Sequence, residues 1–201
     1  MTRVVGAHTR GYRRAMGKVW DEIDETLAAF LRAQYMFFVA SAPTSTEGMI
    51  NVSPKGLDGS FAVLGPHEVA YLDLTGSGAE TIAHLRENGR LCLMFCAFDG
   101  PPRIVRLHGR GEVVPLGDDR FAPLAALFPE RPGARAVIRM DVARVADSCG
   151  YAVPRMRFES DRDQLVRMSD TWGPDRLATY RAEKNALSID GLPALTPPAG
   201  G

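Results

Sequence analysis

The sequence lacks the features typical of disulfide-rich, membrane-spanning and nucleic-acid-binding proteins. It contains only three cysteines in 201 residues, and this odd number argues against a disulfide-built framework. No apolar run approaches the roughly 20 residues of a membrane-spanning helix, and 24 basic residues balance 24 acidic ones. We therefore expect neither a nucleic-acid nor a membrane partner. The cysteine count and the lack of a recognisable signal peptide favour a cytoplasmic location.

Motifs for metals and nucleotides are also missing. The histidines form no H-E-x-x-H and no Cys/His pattern, so we expect no metal site. The stretch "GSGAET" is an incomplete G-x-G-x-x-G, and G-x-x-x-x-G-K does not occur, which argues against Rossmann and P-loop proteins. Cys149 has no neighbouring base that would lower the pKa of its thiol. We expect it to be a buried, structural cysteine.

What the sequence does have is a succession of short strand patterns joined by links of hairpin length. Such links are too short for the crossovers of a parallel sheet, so the sheet must be largely antiparallel. We predict a mainly β (α+β) fold, a six- or seven-stranded antiparallel split barrel with short flanking helices. The predicted strands are 35–41, 49–57, 61–64, 68–74, 90–98, 103–114 and 134–147, and the predicted helices are 18–34, 118–128 and 161–184.

The chain divides into three predicted parts. Residues 1–16 are basic and poorly patterned and are interpreted as an N-terminal arm. The barrel domain spans residues 17–150. Residues 151–201 form a C-terminal helical extension and tail, which closes in proline and glycine.

One turn in the barrel allows two interpretations. In "LDLTGSGAETIAHL" (72–85), Ser77 and Glu80 have the S-x-x-E spacing of a capping box, which requires no ligand. The same residues also suit an anion site, because a helix N-terminus offers free N–H groups and the positive end of a dipole. Thr75 and Thr81 add hydroxyl groups to this site.

An anion at this turn needs positive charge from elsewhere. Lys55 lies in "NVSPKG", and Arg103 and Arg106 lie at the start of the long strand 103–114. Each of them alone is typical of a solvated surface. We predict that all three converge on the turn, with Lys55 as the first candidate for the cation and Arg106 as the second.

Together, "NVSPKG", "YLDLTGSGAETIAHLRENGRLCLMF" and "PPRIVRLHGRGEVV" resemble the pyridoxamine 5′-phosphate oxidase-like flavoproteins over roughly residues 18–147. The resemblance implies an FMN-binding split β-barrel and a homodimer with two sites at its interface. It places the FMN ring beside residues 51–56 and the phosphate near residues 75–81. The implied cofactor-binding residues are Asn51, Val52, Ser53, Lys55, Thr75, Ser77, Glu80, Thr81, Arg103 and Arg106.

The sequence departs from the family pattern in two places. Glu80 and Thr81 stand where the oxidase has an Arg-Lys pair that grips the phosphate, and no histidine follows His108. We therefore do not expect oxidation of pyridoxamine phosphate itself. The prediction is an FMN-dependent oxidoreductase that transfers hydride between flavin and NAD(P)H or a small organic substrate, with no catalytic residue assigned. The alternatives are a deazaflavin-dependent reductase and a non-catalytic flavin- or haem-binding protein.

Besides Cys149, three further residues have no assigned role. We interpret His84 as a packing or surface residue, whereas His108 shares a strand face with Arg106 and suits a polar lining. Tyr151, in "SCGYAVP", is either a cover for the cofactor ring or a core aromatic residue at a strand end.

Overall fold

The computed structural model of the protein describes residues 17–195, so the predicted arm of residues 1–16 lies outside the described residues. The elements alternate short strands with four helices of very different lengths. In chain order they are β1 (Val19–Trp20), α1 (Glu25–Arg32), β2 (Phe37–Ser41), β3 (Asn51–Lys55), β4 (Phe61–Gly65), β5 (Glu68–Leu74), α2 (Glu80–Asn88), β6 (Arg90–Cys96), β7 (Ile104–Pro115), α3 (Phe121–Ala125), β8 (Ala134–Ser148) and α4 (Gln164–Lys184).

All strands belong to one antiparallel sheet in the order β3-β2-β6-β7-β8-β5-β4, with β1 paired to β8. The predicted fold class is confirmed, and each of the seven predicted strands is present. The long strands β7 and β8 pair from Ile104 and Ser148 to Pro115 and Ala136, with a bulge between His108 and Gly109. A Cβ atom at Gly109 would collide with the carbonyl oxygen of Asp141, so the close approach of the two backbones at this bulge requires glycine.

The sheet curls until its two ends meet around one core. The Phe61 ring on the edge strand β4 lies 4.9 Å from the Phe95 ring on β6 and 5.4 Å from the Phe37 ring on β2. These strands are far apart in the order of the sheet, so only a barrel brings the rings together. Leu27 of α1 and Ile82 of α2, both 0% exposed, belong to the same core.

The pairing register gives the sheet two distinct faces. On β3, Asn51, Ser53 and Lys55 pair with Ser41, Val39 and Phe37 of β2, which are all buried. We call this the inner face. Val52 and Pro54 point the other way, together with Ala40, Cys92 and His108 in the neighbouring strands, and we call that the outer face.

The predicted helix 18–34 is too long. Asp24 has an extended backbone and its Oδ1 accepts the N–H of Leu27 at 2.7 Å, so it caps a helix that starts only at Glu25. Val19 and Trp20 follow the helical spacing of the apolar residues, but they pair with Ala146 and Val145 as strand β1. Two apolar residues are too few to distinguish a helix turn from an edge strand.

The C-terminal part of the chain packs against the barrel. α4 is broken at Gly173, which has a φ of 68° and directly precedes Pro174. Beyond α4 the chain turns back on itself, and Ala194 and Leu195 enter the main core. Among the described residues, no helix has the length and apolar character needed to cross a membrane.

Candidate functional site

The turn between β5 and α2 is not closed by a capping box. The N-cap of α2 is Ala79, and no side chain caps the helix. Ser77 therefore lies two residues before the cap position, and the Glu80 carboxylate folds back over Gly78. The capping-box prediction is wrong. Ser77 and Glu80 have the spacing of such a box, but it would require Ser77 at the N-cap position, and α2 begins only at Glu80. As a result, the first N–H groups of α2 have no side-chain partner.

The start of α2 contacts the inner face of β3. The Asn51 amide donates to the Thr81 hydroxyl at 2.9 Å and to the Ser53 hydroxyl at 3.2 Å. Thr81 is 7% exposed, whereas Asn51 and Ser53 are half-buried. Three predicted site residues thus lie together, while Val52 projects from the outer face and is 61% exposed.

A buried carboxylate holds two cations next to this contact. Lys55 Nζ lies 2.7 Å from one oxygen of Asp73, and Arg135 Nε lies 2.7 Å from the other. Burial alone would raise the pKa of the Asp73 carboxyl, but the charges of Arg135 and Lys55 outweigh it and hold that pKa at about 2. Asp73 is therefore ionised at neutral pH.

A third cation reaches the turn from α4. Arg181 Nη1 donates to the Thr75 hydroxyl at 3.3 Å, and the Asn185 amide donates to the carbonyl oxygen of Gly76 at 2.9 Å. Burial and then the charge of Arg135 lower the pKa of the Arg181 guanidinium. We refer to Asp73, Lys55, Arg135 and Arg181 as the Asp73 cluster.

Two members of the Asp73 cluster were not among the predicted site residues. Arg135 and Arg181 come from strand β8 and helix α4 and approach the turn only in the folded chain. A weak signal for Arg135 exists in the sequence, because it interrupts an otherwise apolar start of the strand "ARAVI". The Asp in "YLDL" is the matching signal in β5.

Arg103 and Arg106 do not join Lys55, so the predicted convergence of all three is wrong. Arg106 pairs with Met94 and Ala146 on the outer face, and its Nη1 donates to the Ser148 hydroxyl at 3.0 Å. A residue of even number in this part of β7 faces away from Lys55 because side chains alternate along a strand.

Arg103 lies in a different region of the molecule. It pairs with Asp147 at 3.3 Å and covers the rings of Trp20 and Phe30. These residues belong to β8, β1 and α1, so the guanidinium of Arg103 braces α1 against the barrel.

The two histidines considered from the sequence, His84 and His108, differ in environment. His84 is 0% exposed, and its Nδ1 lies 2.9 Å from the Ser41 hydroxyl. Burial lowers its pKa, which makes it a neutral packing residue at pH 7 and agrees with the interpretation from sequence. His108 lies on the outer face, where burial and the charges of Arg144 and Arg106 lower its pKa.

The thiol of Cys149 is free and exposed, so the expectation of a buried cysteine is wrong. Its neighbour Gly150 is the buried residue of the pair, because the backbone there packs closely against Arg103. Tyr151 is 69% exposed and therefore is not a core aromatic residue.

The fold and the polar site at the start of α2 define the class of split-barrel proteins, and comparison with known proteins identifies the family. Residues 23–149 match the family model of pyridoxamine 5′-phosphate oxidase. The chain is 43% identical over 192 residues to "Pyridoxamine 5′-phosphate oxidase family protein ustO" of Aspergillus flavus, covering 88% of this chain and 77% of that protein. The chain therefore belongs to the pyridoxamine 5′-phosphate oxidase family.

Several solved structures resemble the chain more distantly. HupZ of Group A Streptococcus has 18% identity and a TM-score of 0.47, with 61% of this chain and 91% of that chain covered. An FMN-binding protein from Syntrophomonas wolfei subsp. wolfei has 11% identity and a TM-score of 0.45, with 60% and 82% covered. The FAD-binding protein from Mycobacterium smegmatis has 12% identity and a TM-score of 0.43, with 63% and 94% covered. We draw nothing about ligands from likenesses of this degree.

Proposed function

We propose that the protein binds FMN and acts as an oxidoreductase that transfers hydride between the flavin and NAD(P)H or a small organic substrate. Family membership supports this proposal. The observation that carries it is the uncapped start of α2, which is flanked by hydroxyl groups and by an excess of positive charge. Such a helix start favours an anionic group.

The described residues fit a flavin with an anionic tail. Arg135 Nη1 and Asn185 Oδ1 are buried and have no hydrogen-bond partner within residues 17–195. Buried polar atoms are normally satisfied, so unpaired donors and acceptors at one place favour a missing ligand or ordered water. Thr75, Ser77 and Thr81 would hold the tail, and Asn51, Ser53 and the backbone groups of Val52 would lie beside the ring.

When bound, FMN supplies the two-electron chemistry, in which one reactant loses a hydride and the other gains it. The residues of this chain contribute position and charge. Asp73 fixes the Lys55 ammonium, and Asn51 fixes the Thr81 hydroxyl. The Glu80 carboxylate at the helix start opposes an anion, so the cations of the Asp73 cluster have to outweigh it. A direct role for Arg103 or Arg106 in holding FMN stays a prediction.

The test is the identity and behaviour of the bound chromophore. The purified protein is expected to be yellow, to release FMN on denaturation, and to lose its flavin absorption when NAD(P)H or a substrate is added without oxygen. Release of a deazaflavin or a haem absorption band would favour the alternatives and overturn the FMN assignment. Bound FMN that no donor reduces would leave a binding protein without turnover. Pyridoxamine phosphate, which we expect not to be oxidised, serves as the control substrate.

We further propose that the protein is a homodimer with its sites at the interface. The outer face of β3 and the segment before it expose large apolar side chains: Ile50 is 77%, Val52 61% and Met49 59% exposed. Apolar side chains grouped in this way mark association surfaces. Val52→Lys is expected to convert a dimer to a monomer in light scattering. Leu116→Lys, at an exposed turn beyond β7, should leave the dimer intact. A monomeric wild-type protein would overturn this proposal.

A further inference from the structure

We propose that His84 is a positioning residue, which acts through the Ser41 hydroxyl to hold the side-chain amide of Asn51 in one of its two orientations. The inference rests on the proposed function for its consequence, because Asn51 would lie beside the flavin ring. The arrangement itself belongs to the chain alone. Helix α2 supplies His84, and strands β2 and β3 supply Ser41 and Asn51, which are direct cross-strand partners.

A continuous set of polar contacts connects these three side chains. His84 Nδ1 lies 2.9 Å from the Ser41 hydroxyl oxygen, and the Asn51 amide nitrogen lies 3.5 Å from the same oxygen. The amide nitrogen also contacts the hydroxyl of Thr81 at 2.9 Å and that of Ser53 at 3.2 Å. His84 is 0% and Ser41 5% exposed, whereas Asn51 is half-buried. The contacts therefore couple a buried imidazole to an amide that a ligand can reach.

The hydroxyl of Ser41 has a single proton, and its two neighbours decide where that proton goes. An amide nitrogen can only donate, so Ser41 accepts from Asn51 and gives its own proton to His84 Nδ1. The imidazole then carries its proton on Nε2, an atom that is buried and has no partner within residues 17–195. The contacts thus select a neutral imidazole in one tautomer.

The charges around His84 also bear on its protonation. Burial lowers the pKa of the imidazole and so does the charge of Arg90, whereas the carboxylates of Asp190, Glu87 and Glu80 raise it. Burial is the largest of these effects and holds the pKa below its ordinary value. His84 is therefore neutral at neutral pH and gains its proton only in a more acidic solution.

Protonation of His84 reverses the direction of these hydrogen bonds. An imidazolium donates from Nδ1, so the Ser41 hydroxyl has to turn its proton toward Asn51. The amide nitrogen cannot accept that proton, whereas the amide oxygen can, and a half-turn of the planar amide exchanges the two atoms. The neutral imidazole therefore keeps the amide nitrogen toward Ser41 and Thr81 and leaves the amide oxygen as an acceptor for a bound ligand. The charged imidazole favours the opposite orientation.

The test uses the full chain, first without ligand and then with riboflavin, which has no phosphate group that could titrate. Ser41→Ala removes the connecting hydroxyl. His84→Gln replaces the imidazole by a side chain that accepts the same hydrogen bond but does not titrate. His67→Gln is the matched control, because His67 is an exposed histidine in the turn between β4 and β5. NMR follows the imidazole nitrogens and the Asn51 amide, and calorimetry measures riboflavin affinity, between about pH 7.5 and about pH 5.

Without ligand, we expect His84 to carry its proton on Nε2 and the Asn51 amide signals to shift as His84 titrates, but not in Ser41→Ala. Ser41→Ala should weaken riboflavin about threefold to tenfold, the effect of one hydrogen bond. In the wild-type protein and His67→Gln, riboflavin affinity should fall as His84 gains its proton. His84→Gln should keep most of the affinity at neutral pH and lose this pH dependence. A packing defect would instead weaken binding at every pH.

The remaining outcomes separate this inference from the proposed function. If the wild-type protein binds no flavin but the Asn51 signals follow His84 only when the Ser41 hydroxyl is present, the flavin function fails and the positioning role stands. If those signals do not follow His84, or follow it equally in Ser41→Ala, the positioning role is overturned whatever the flavin result. The same pH dependence of riboflavin affinity in the wild-type protein and in His84→Gln would also overturn it.

Discussion

Two groups of charged residues in the molecule differ in their surroundings and in their balance. At the surface, Glu112 bridges Arg120 at 2.6 Å and Arg139 at 3.5 Å, and Asp118 and Glu68 complete a surface network of three carboxylates and two arginines. Their side chains are 26–52% exposed. In the Asp73 cluster, Lys55 and Arg135 pair with one carboxylate that is 3% exposed, and a third cation, Arg181, bonds to the neighbouring Thr75. Water and salt screen a charge imbalance at the surface, whereas an unpaired charge inside the protein is costly.

The largest effect is expected from removing the one buried carboxylate. Asp73→Asn leaves the Arg135 guanidinium buried without a counter-charge, and breaking a buried pair in this way costs about 3–5 kcal/mol. Urea unfolding at neutral pH measures the loss in the free energy of unfolding. Asp118→Asn in the surface network is the matched control. A similar, small loss in the free energy of unfolding of Asp73→Asn and Asp118→Asn would contradict the expected difference between the Asp73 cluster and the surface network.

The second-largest effect is expected from acid, which should reduce the stability that Asp73 contributes. The pKa of Asp73 is about 2 in the folded protein, against about 3.9 in an unfolded chain. Between these values the unfolded state binds more protons, so stability is fully present above about pH 4 and is lost as pH falls toward 2. The difference between the two pKa values corresponds to about 3 kcal/mol of stability.

Urea unfolding at pH 5, 4 and 3 measures this loss, because these values span the titration of the unfolded chain and approach that of folded Asp73. The wild-type protein should lose stability more steeply than Asp73→Asn, which has no carboxyl group to protonate at this position. Parallel pH profiles for the two proteins would mean that the cations do not hold Asp73 ionised.

The smallest effect is expected in the surface network. Glu112→Gln removes the carboxylate shared by Arg120 and Arg139, and exposed ion pairs contribute at most about 1 kcal/mol. This loss should shrink further in about 1 M salt because of screening. The free energies of unfolding of Glu112→Gln and Asp73→Asn, measured at low and at high salt, test this expectation. A loss in Glu112→Gln as large and as salt-resistant as that in Asp73→Asn would contradict it.

The strands were predictable because their signals are local. An apolar run bounded by turn residues, such as 68–74, can be recognised as a strand without knowledge of its tertiary contacts, and β5 has the predicted bounds. The capping box was not predictable from spacing alone, because a cap depends on the backbone angles of one residue. Ala79 takes the cap position here with no side chain able to bond.

The composition of the site was only partly predictable. Asn51, Ser53 and Lys55 lie on one face of β3 because side chains alternate along a strand, and this grouping could be expected from the sequence. The same alternation places Arg106 on the opposite face of the sheet. Its face could not be assigned from the sequence before the pairing register between β6 and β7 was known. Arg135 and Arg181 contact residues 62 and 106 positions away, and no local pattern encodes such pairings.

The contact between Arg181 and Thr75 also has a consequence for synthesis of the chain on the ribosome. The two residues are separated by 106 positions, and at roughly 5–20 residues per second the second is added roughly 5–20 s after the first. During that interval the nascent chain has Thr75, Gly76 and the start of α2 but neither Arg181 nor Asn185. The contacts that Arg181 and Asn185 make with this turn can therefore form only when almost the whole chain has been synthesised.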